Sequence, residues 1–162
     1  DGTVYFTDPP YGISAGQQEL TFNGVYRIAP TGALTAEWRG ATSSRPNGVV
    51  LSPDERVLYV ADTADGTVRA WCVQADGALT GERMFVRTSG NPDGMAIDRA
   101  GNLYASTRTG VEVFAPDGRR WGVIAIPEQP ANCAFGGADA RTLYVTARTG
   151  LYRVRLTAEG MY

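Results

Sequence analysis

A chain of 162 residues that is 43% hydrophobic and 20% charged has the composition of a folded globular domain, and its formal net charge of −2 gives no basic excess to suggest nucleic acid as a partner. It contains no histidine, which excludes a Ser-His-Asp triad, a histidine general base and a histidine-built zinc site within these residues. No apolar run approaches the ~18–20 residues needed to cross a membrane, and the two cysteines, Cys72 and Cys133, lie singly in apolar runs and read as small buried hydrophobes.

Taken in chain order, β-branched and aromatic runs with period-2 alternation dominate, and no helical stripe interrupts them. The opening unit predicts strands at 4–7, 25–29 and 34–38. Between the first two runs the loop Asp8-Pro9-Pro10-Tyr11-Gly12, stiffened by its proline pair, offers Tyr11 as a pocket wall. The chain begins on Asp1, in what reads as a strand and without a methionine, so the expectation is a fragment whose opening unit lacks its first strand. The next unit predicts strands at 48–52, 57–61, 67–73 and 82–87, with turns at Pro53-Asp54-Glu55-Arg56, Asp65-Gly66 and Ala75-Asp76-Gly77. Aspartate followed by glycine tolerates the left-handed backbone of tight hairpins. The third unit repeats the pattern at 94–98, 102–106, 110–115 and 121–126, and the last at 132–135, 142–147 and 150–156. Trp38, Trp71 and Trp121 all fall in these strands and are expected to pack between units.

One phrase recurs. Pro46-Asn47-Gly48 leads to Leu58-Tyr59, Pro92-Asp93-Gly94 to Leu103-Tyr104, and Pro130-Ala131-Asn132 to Leu143-Tyr144, with 12, 11 and 12 residues from the polar residue to the tyrosine. Four antiparallel strands per ~40–45 residues is the pattern of a β-propeller blade. The expected fold is therefore all-β: a single domain over 1–162 built as a partial propeller, about 3.5 blades at approximately 1–40, 46–87, 92–126 and 130–156. A β-sandwich shares the short strands but does not account for the matched spacing.

The first strand of a blade lies nearest the axis, so Asn47, Asp93 and Asn132, each just ahead of such a strand, are expected to crowd one mouth of the channel. Carboxylate and amide oxygens without histidine or cysteine suit a hard divalent cation: calcium, magnesium or manganese, with zinc less natural. The plainer reading is that each caps a turn. Asp93 is the one carboxylate of the set, so a second acidic ligand is expected outside this stretch. Arg45, in Ser43-Ser44-Arg45, reads as a solvated loop charge.

The segments YFTDPPYG (5–12), FNGVYRI (22–28), RPNGVVLSPDERVLYVADT (45–63), NPDGMAID (91–98) and PANCAFGGADARTLYVTARTGLYRVRL (130–156) resemble the gluconolactonase and senescence-marker-protein (regucalcin-like) family of six-bladed propellers. The resemblance implies that Asn47 and Asp93 are ligands of a catalytic divalent cation, calcium by preference, and that Asp93 is also the general base. It implies a third ligand, a glutamate, and a substrate-contacting asparagine, both upstream of Asp1, in the blades needed to close the ring. The implied activity is hydrolysis of a small-molecule sugar lactone, with Asn132 and Tyr11 holding the sugar. A second reading is a propeller that binds a divalent cation or small sugar acid without turnover. A paraoxonase-like mechanism relies on histidine, which this chain lacks.

Overall fold

The computed structural model describes residues 1–14 and 16–161, and every regular element among them is a strand. Four antiparallel meanders follow one another. β1 (Val4–Asp8), β2 (Asn23–Ile28) and β3 (Leu34–Gly40) form the first sheet; β4 (Pro46–Leu51), β5 (Val57–Asp62), β6 (Thr67–Val73) and β7 (Leu79–Arg87) the second. β8 (Met95–Ile97), β9 (Leu103–Thr107), β10 (Gly110–Phe114) and β11 (Arg120–Ile124) form the third; β12 (Pro130–Gly136), β13 (Thr142–Ala147) and β14 (Gly150–Arg155) the fourth. The β5–β6 hairpin turns on Gly66, whose φ of 66° lies in the region that β-carbon sterics deny to most residues.

The sheets stack face to face in series, and the core lies in the three seams between them. On β5, Leu58 and Val60 join Val25 and Trp71 in the seam with the first sheet, while Tyr59 and Ala61 join Ile97, Leu103 and Phe114 in the seam with the third. Tyr104 on β9 points the other way, packing with Val111, Cys133, Leu143 and Val145 against the fourth sheet. Because side chains alternate across a strand, a sheet covered on both faces needs apolar residues at successive positions, and β5 and β9 supply them. Each fully buried leucine here contributes roughly 1.5–3 kcal/mol of transfer free energy.

The first strands follow one another: β4 packs on β8, and β8 on β12. β4 packs on β1 and β2 as β12 packs on β9 and β10, so β1 and β2 hold the second- and third-strand positions of their sheet. This is propeller stacking, with sheets radiating from a line of innermost strands.

Three expectations need correction. Trp38 and Trp71 do pack between sheets, edge to face at 6.0 Å between centroids. Trp121, on the outermost strand of the third sheet, is instead 60% exposed; its Nε1 donates to Asn102 Oδ1 and Arg119 lies over its ring. Cys133 is buried, but Cys72 is exposed: it shares a face of β6 with the buried Val68 and Ala70 but lies at the far end of the strand. β7 begins at Leu79 and not at 82, since Gly81, at φ 64°, forms a bulge opposite β6 that the sequence disguises as a break. Beyond β14 the chain turns back along β8, with Met161 N donating to Ile97 O and Met161 packing on the core of the second and third sheets.

Candidate active site

An antiparallel meander brings the start of each sheet's first strand beside the end of its second. At this end of the molecule lie Thr7 near the end of β1, Asn47 near the start of β4, Thr63 just after β5, Asp93 just before β8, Asn132 near the start of β12, and Arg148 just after β13. A cleft of about 640 Å³ at the opposite end is lined by Asp1, Thr3, Leu51, Arg56 and Gln74 and holds none of these residues.

The backbone breaks its ladder where the polar residues sit. Pairing of β4 with β5 runs from Pro46–Asp62 to Val49–Val60, leaving Asn47 and Gly48 in a bulge, and β12 shifts register between Pro130 and Asn132. A bulge re-aims the side chains it contains. The three segments then interlock. A β-carbon on Gly48 would lie 2.3 Å from Asp93 O, and one on Gly94 would lie 2.0 Å from Asn132 Oδ1. Gly94 N donates to Ala131 O at 2.8 Å, and Thr7 Oγ1 donates to Asn47 O at 2.8 Å. Neighbouring sheets are thus drawn together at this mouth by glycines that let backbone approach backbone.

Asn47 is partly buried, and its Nδ2 donates to Thr63 Oγ1 at 3.1 Å, while Thr63 Oγ1 donates to Pro92 O at 2.6 Å. One hydroxyl therefore ties Asn47 to the turn that carries Asp93. Asp93 is half-buried. Burial pushes its carboxyl above the ordinary carboxylate value, against the hydrogen bond from Asn47 and the positive charge of Arg148. Asn132 is exposed and stands beside Gly94, and its Oδ1 accepts Cys133 N at 2.8 Å, while its amide nitrogen makes no hydrogen bond among the described residues. Tyr11 is 51% exposed, in a depression with Pro10, Ile13, Gln17, Leu20 and Phe22 that does not include Asn47, Asp93 or Asn132. Arg45 is no loose charge: its Nη1 donates to the carbonyls of Thr42 and Ser44, and its backbone N to the buried Asp62.

Two contributors were not singled out in the sequence. Thr63 carries only the weak signal of closing the LYVADT run. Arg148 has a better one, the repeated Arg-Thr-Gly at 108–110 and 148–150. Arg148 lines a cleft of about 610 Å³ together with Asp93, Gln129, Thr146, Thr149 and Leu151.

Asn47 and Asp93 are hard oxygen donors held side by side, and among the described residues no donor engages Asn47 Oδ1. They fit a hard divalent cation in kind and supply part of its coordination sphere. Among the described residues no cluster of three or more acidic, cysteine or histidine side chains completes it.

The sequence and fold have known counterparts. The family model described as SMP-30/Gluconolactonase/LRE-like region matches residues 1–149. A gluconolactonase of Zymomonas mobilis is 40% identical over 176 residues, covering 98% of this chain and 49% of that protein. Regucalcin of Danio rerio is 34% identical over 161 residues, covering 91% of this chain and 53% of that protein. The solved structure of a gluconolactonase from Xanthomonas campestris superposes with a TM-score of 0.86 at 37% identity, covering 96% of this chain and 54% of that one. The chain spans about half the length of the curated relatives it matches. Blade stacking, the interlocked Asn47 and Asp93 segments and these matches agree: the chain belongs to the SMP-30/gluconolactonase/LRE-like family.

Proposed function

We propose that the protein carrying this chain hydrolyses a sugar lactone. The observation that supports this most directly is the Asn47–Asp93 pair, set by the Gly48 contact at a mouth beside the cleft that Asp93 lines. In the reaction, water adds to the lactone carbonyl carbon, the ring acyl–oxygen bond breaks, the ring oxygen takes up a proton, and the resulting hydroxy acid gives one up.

Asp93 takes the proton from the attacking water, and its partial burial keeps that carboxylate basic. Asn47 aligns it, itself aligned by Thr63. Asn132 offers its amide nitrogen, which makes no hydrogen bond among the described residues, to a sugar hydroxyl, whereas Tyr11 lies in a separate depression and is left out of this reading. Asn47 and Asp93 would hold a divalent cation, calcium by preference, and a cation bound there supplies Lewis acidity to the carbonyl.

The test is hydrolysis of glucono-1,5-lactone by the full-length protein, read against the spontaneous background with and without chelator. Asp93→Asn is expected to cost on the order of 10²–10⁴-fold in kcat, the usual worth of a general base. Wild-type protein that hydrolyses no faster than background while still binding the cation would replace this reading with binding without turnover.

A further inference from the structure

We propose that Arg148 is the anion-recognising residue of the cleft, and that it binds the carboxylate of the sugar acid formed when the lactone ring opens. The proposal rests on the hydrolase reading for its choice of anion. The argument for the residue itself is geometric.

Arg148 sits at the β13–β14 hairpin with φ of 27°, a left-handed backbone that is uncommon for a residue carrying a β-carbon. Arg108 occupies the matching place in Arg108-Thr109-Gly110 of the third sheet; its φ is not positive, and it does not line this cleft. The unusual conformation therefore belongs to Arg148 and not to the repeat. Strain of this kind persists where the surroundings fix it, and it clusters at ligand-binding positions.

The side chain is also steered. Nη2 donates to Gln129 Oε1 at 2.7 Å, a neutral partner that orients the guanidinium without cancelling its charge. Glu128 is the nearby acid, but its carboxylate is taken by Thr149, which donates from N at 3.1 Å and from Oγ1 at 2.7 Å. Among the described residues Arg148 enters no ion pair. An arginine whose planar fork keeps most of its donors unused, opening on a cleft of about 610 Å³, is built for bidentate recognition of a carboxylate.

The chemistry of the cleft gives this charge a purpose. The lactone is neutral and its hydrolysis product is an anion, which must share the cleft with Asp93. Among the residues lining it, Arg148 is the cation that offsets this like-charge repulsion.

Calorimetric titration of the full-length protein with sodium gluconate at low ionic strength tests the assignment. Arg148→Gly removes the guanidinium and relaxes the positive φ, so a loss in this variant does not come from added backbone strain. Its gluconate Kd is expected to rise at least ~10-fold, with Arg148→Lys in between, since an ammonium cannot engage a carboxylate in two-point fashion. Arg108→Gly serves as control and is expected to bind as the wild type does. Gluconate binding by Arg148→Gly within twofold of wild type, or a wild type that does not bind gluconate, overturns the proposal. Arg148-dependent gluconate binding in a protein with no lactone turnover upholds it and removes the hydrolase reading. Turnover with Arg148-independent gluconate binding does the reverse.

Discussion

At the scale of single residues, the mouth of this half-ring is organised by what is missing from its side chains. Gly48 lies so close to the Asp93 carbonyl that any β-carbon would sit 2.3 Å from it, well inside contact distance. Backbone atoms cannot swing aside as a flexible side chain can, so Gly48→Ala must push the Asp93 turn away from Asn47. Misplacing a catalytic group by about an ångström costs on the order of 10²-fold in rate. In the full-length protein, Gly48→Ala is expected to lower kcat/KM for a sugar lactone by about that factor and to lower Tm as well. Wild-type kinetics in this variant would mean the close approach does not position the pair. Thr63 works alongside Gly48, since its hydroxyl joins Asn47 to Pro92.

At the scale of elements, each hairpin is fixed by its own polar links, and the fourth sheet shows how one of them answers to pH. Asp139, in the turn between β12 and β13, pairs with Arg155 at the end of β14. The hydrogen bond from Arg155 draws the Asp139 carboxyl down from 3.8 to about 2. A carboxyl held lower in the folded state than in the unfolded chain stabilises the fold above its unfolded value and loses that contribution as pH falls through its folded value. The window therefore runs from about pH 4 down to about pH 2. Asp139→Asn is expected to lower Tm slightly at neutral pH, and the difference from wild type should shrink from about pH 4 downward and disappear only below about pH 2. An unchanged difference at both ends of a pH series of thermal melts would contradict this. The pair is exposed, so the effect is small.

At the scale of the molecule, the core is three seams in a row, and the two end sheets each have a face that no described sheet covers. On the first sheet that face carries Val4, Ile28 and Leu34, 52%, 37% and 62% exposed, beside the stacked rings of Phe6 and the buried Tyr26. On the last, Leu151 is 69% exposed. Apolar faces and unpaired strand edges of this kind pair with other chains. Expressed by itself, the 162-residue chain is expected to self-associate. Its mass by light scattering should rise with concentration; a monodisperse monomer with a cooperative melt would contradict that.

Fourteen strands in groups of three, four, four and three were legible in the chain because period-2 alternation and turn residues are local signals, and the structure contains them. The recurrence of Pro46-Asn47-Gly48, Pro92-Asp93-Gly94 and Pro130-Ala131-Asn132 likewise announced that these residues share one end of the molecule. Burial was less legible. Trp121 and Cys72 sit in apolar runs like their buried counterparts, and only the stacking of the sheets decides which strand position is covered. The division follows from physics. Alternation, turn chemistry and repetition are properties of neighbours along the chain, so the sequence alone determined the sheets, and its motifs carried the resemblance to the family. The carbonyl beside Gly48, the Thr63 bridge and the cleft that Arg148 shares with Asp93 depend on residues far apart in the chain, and only the tertiary structure decided them.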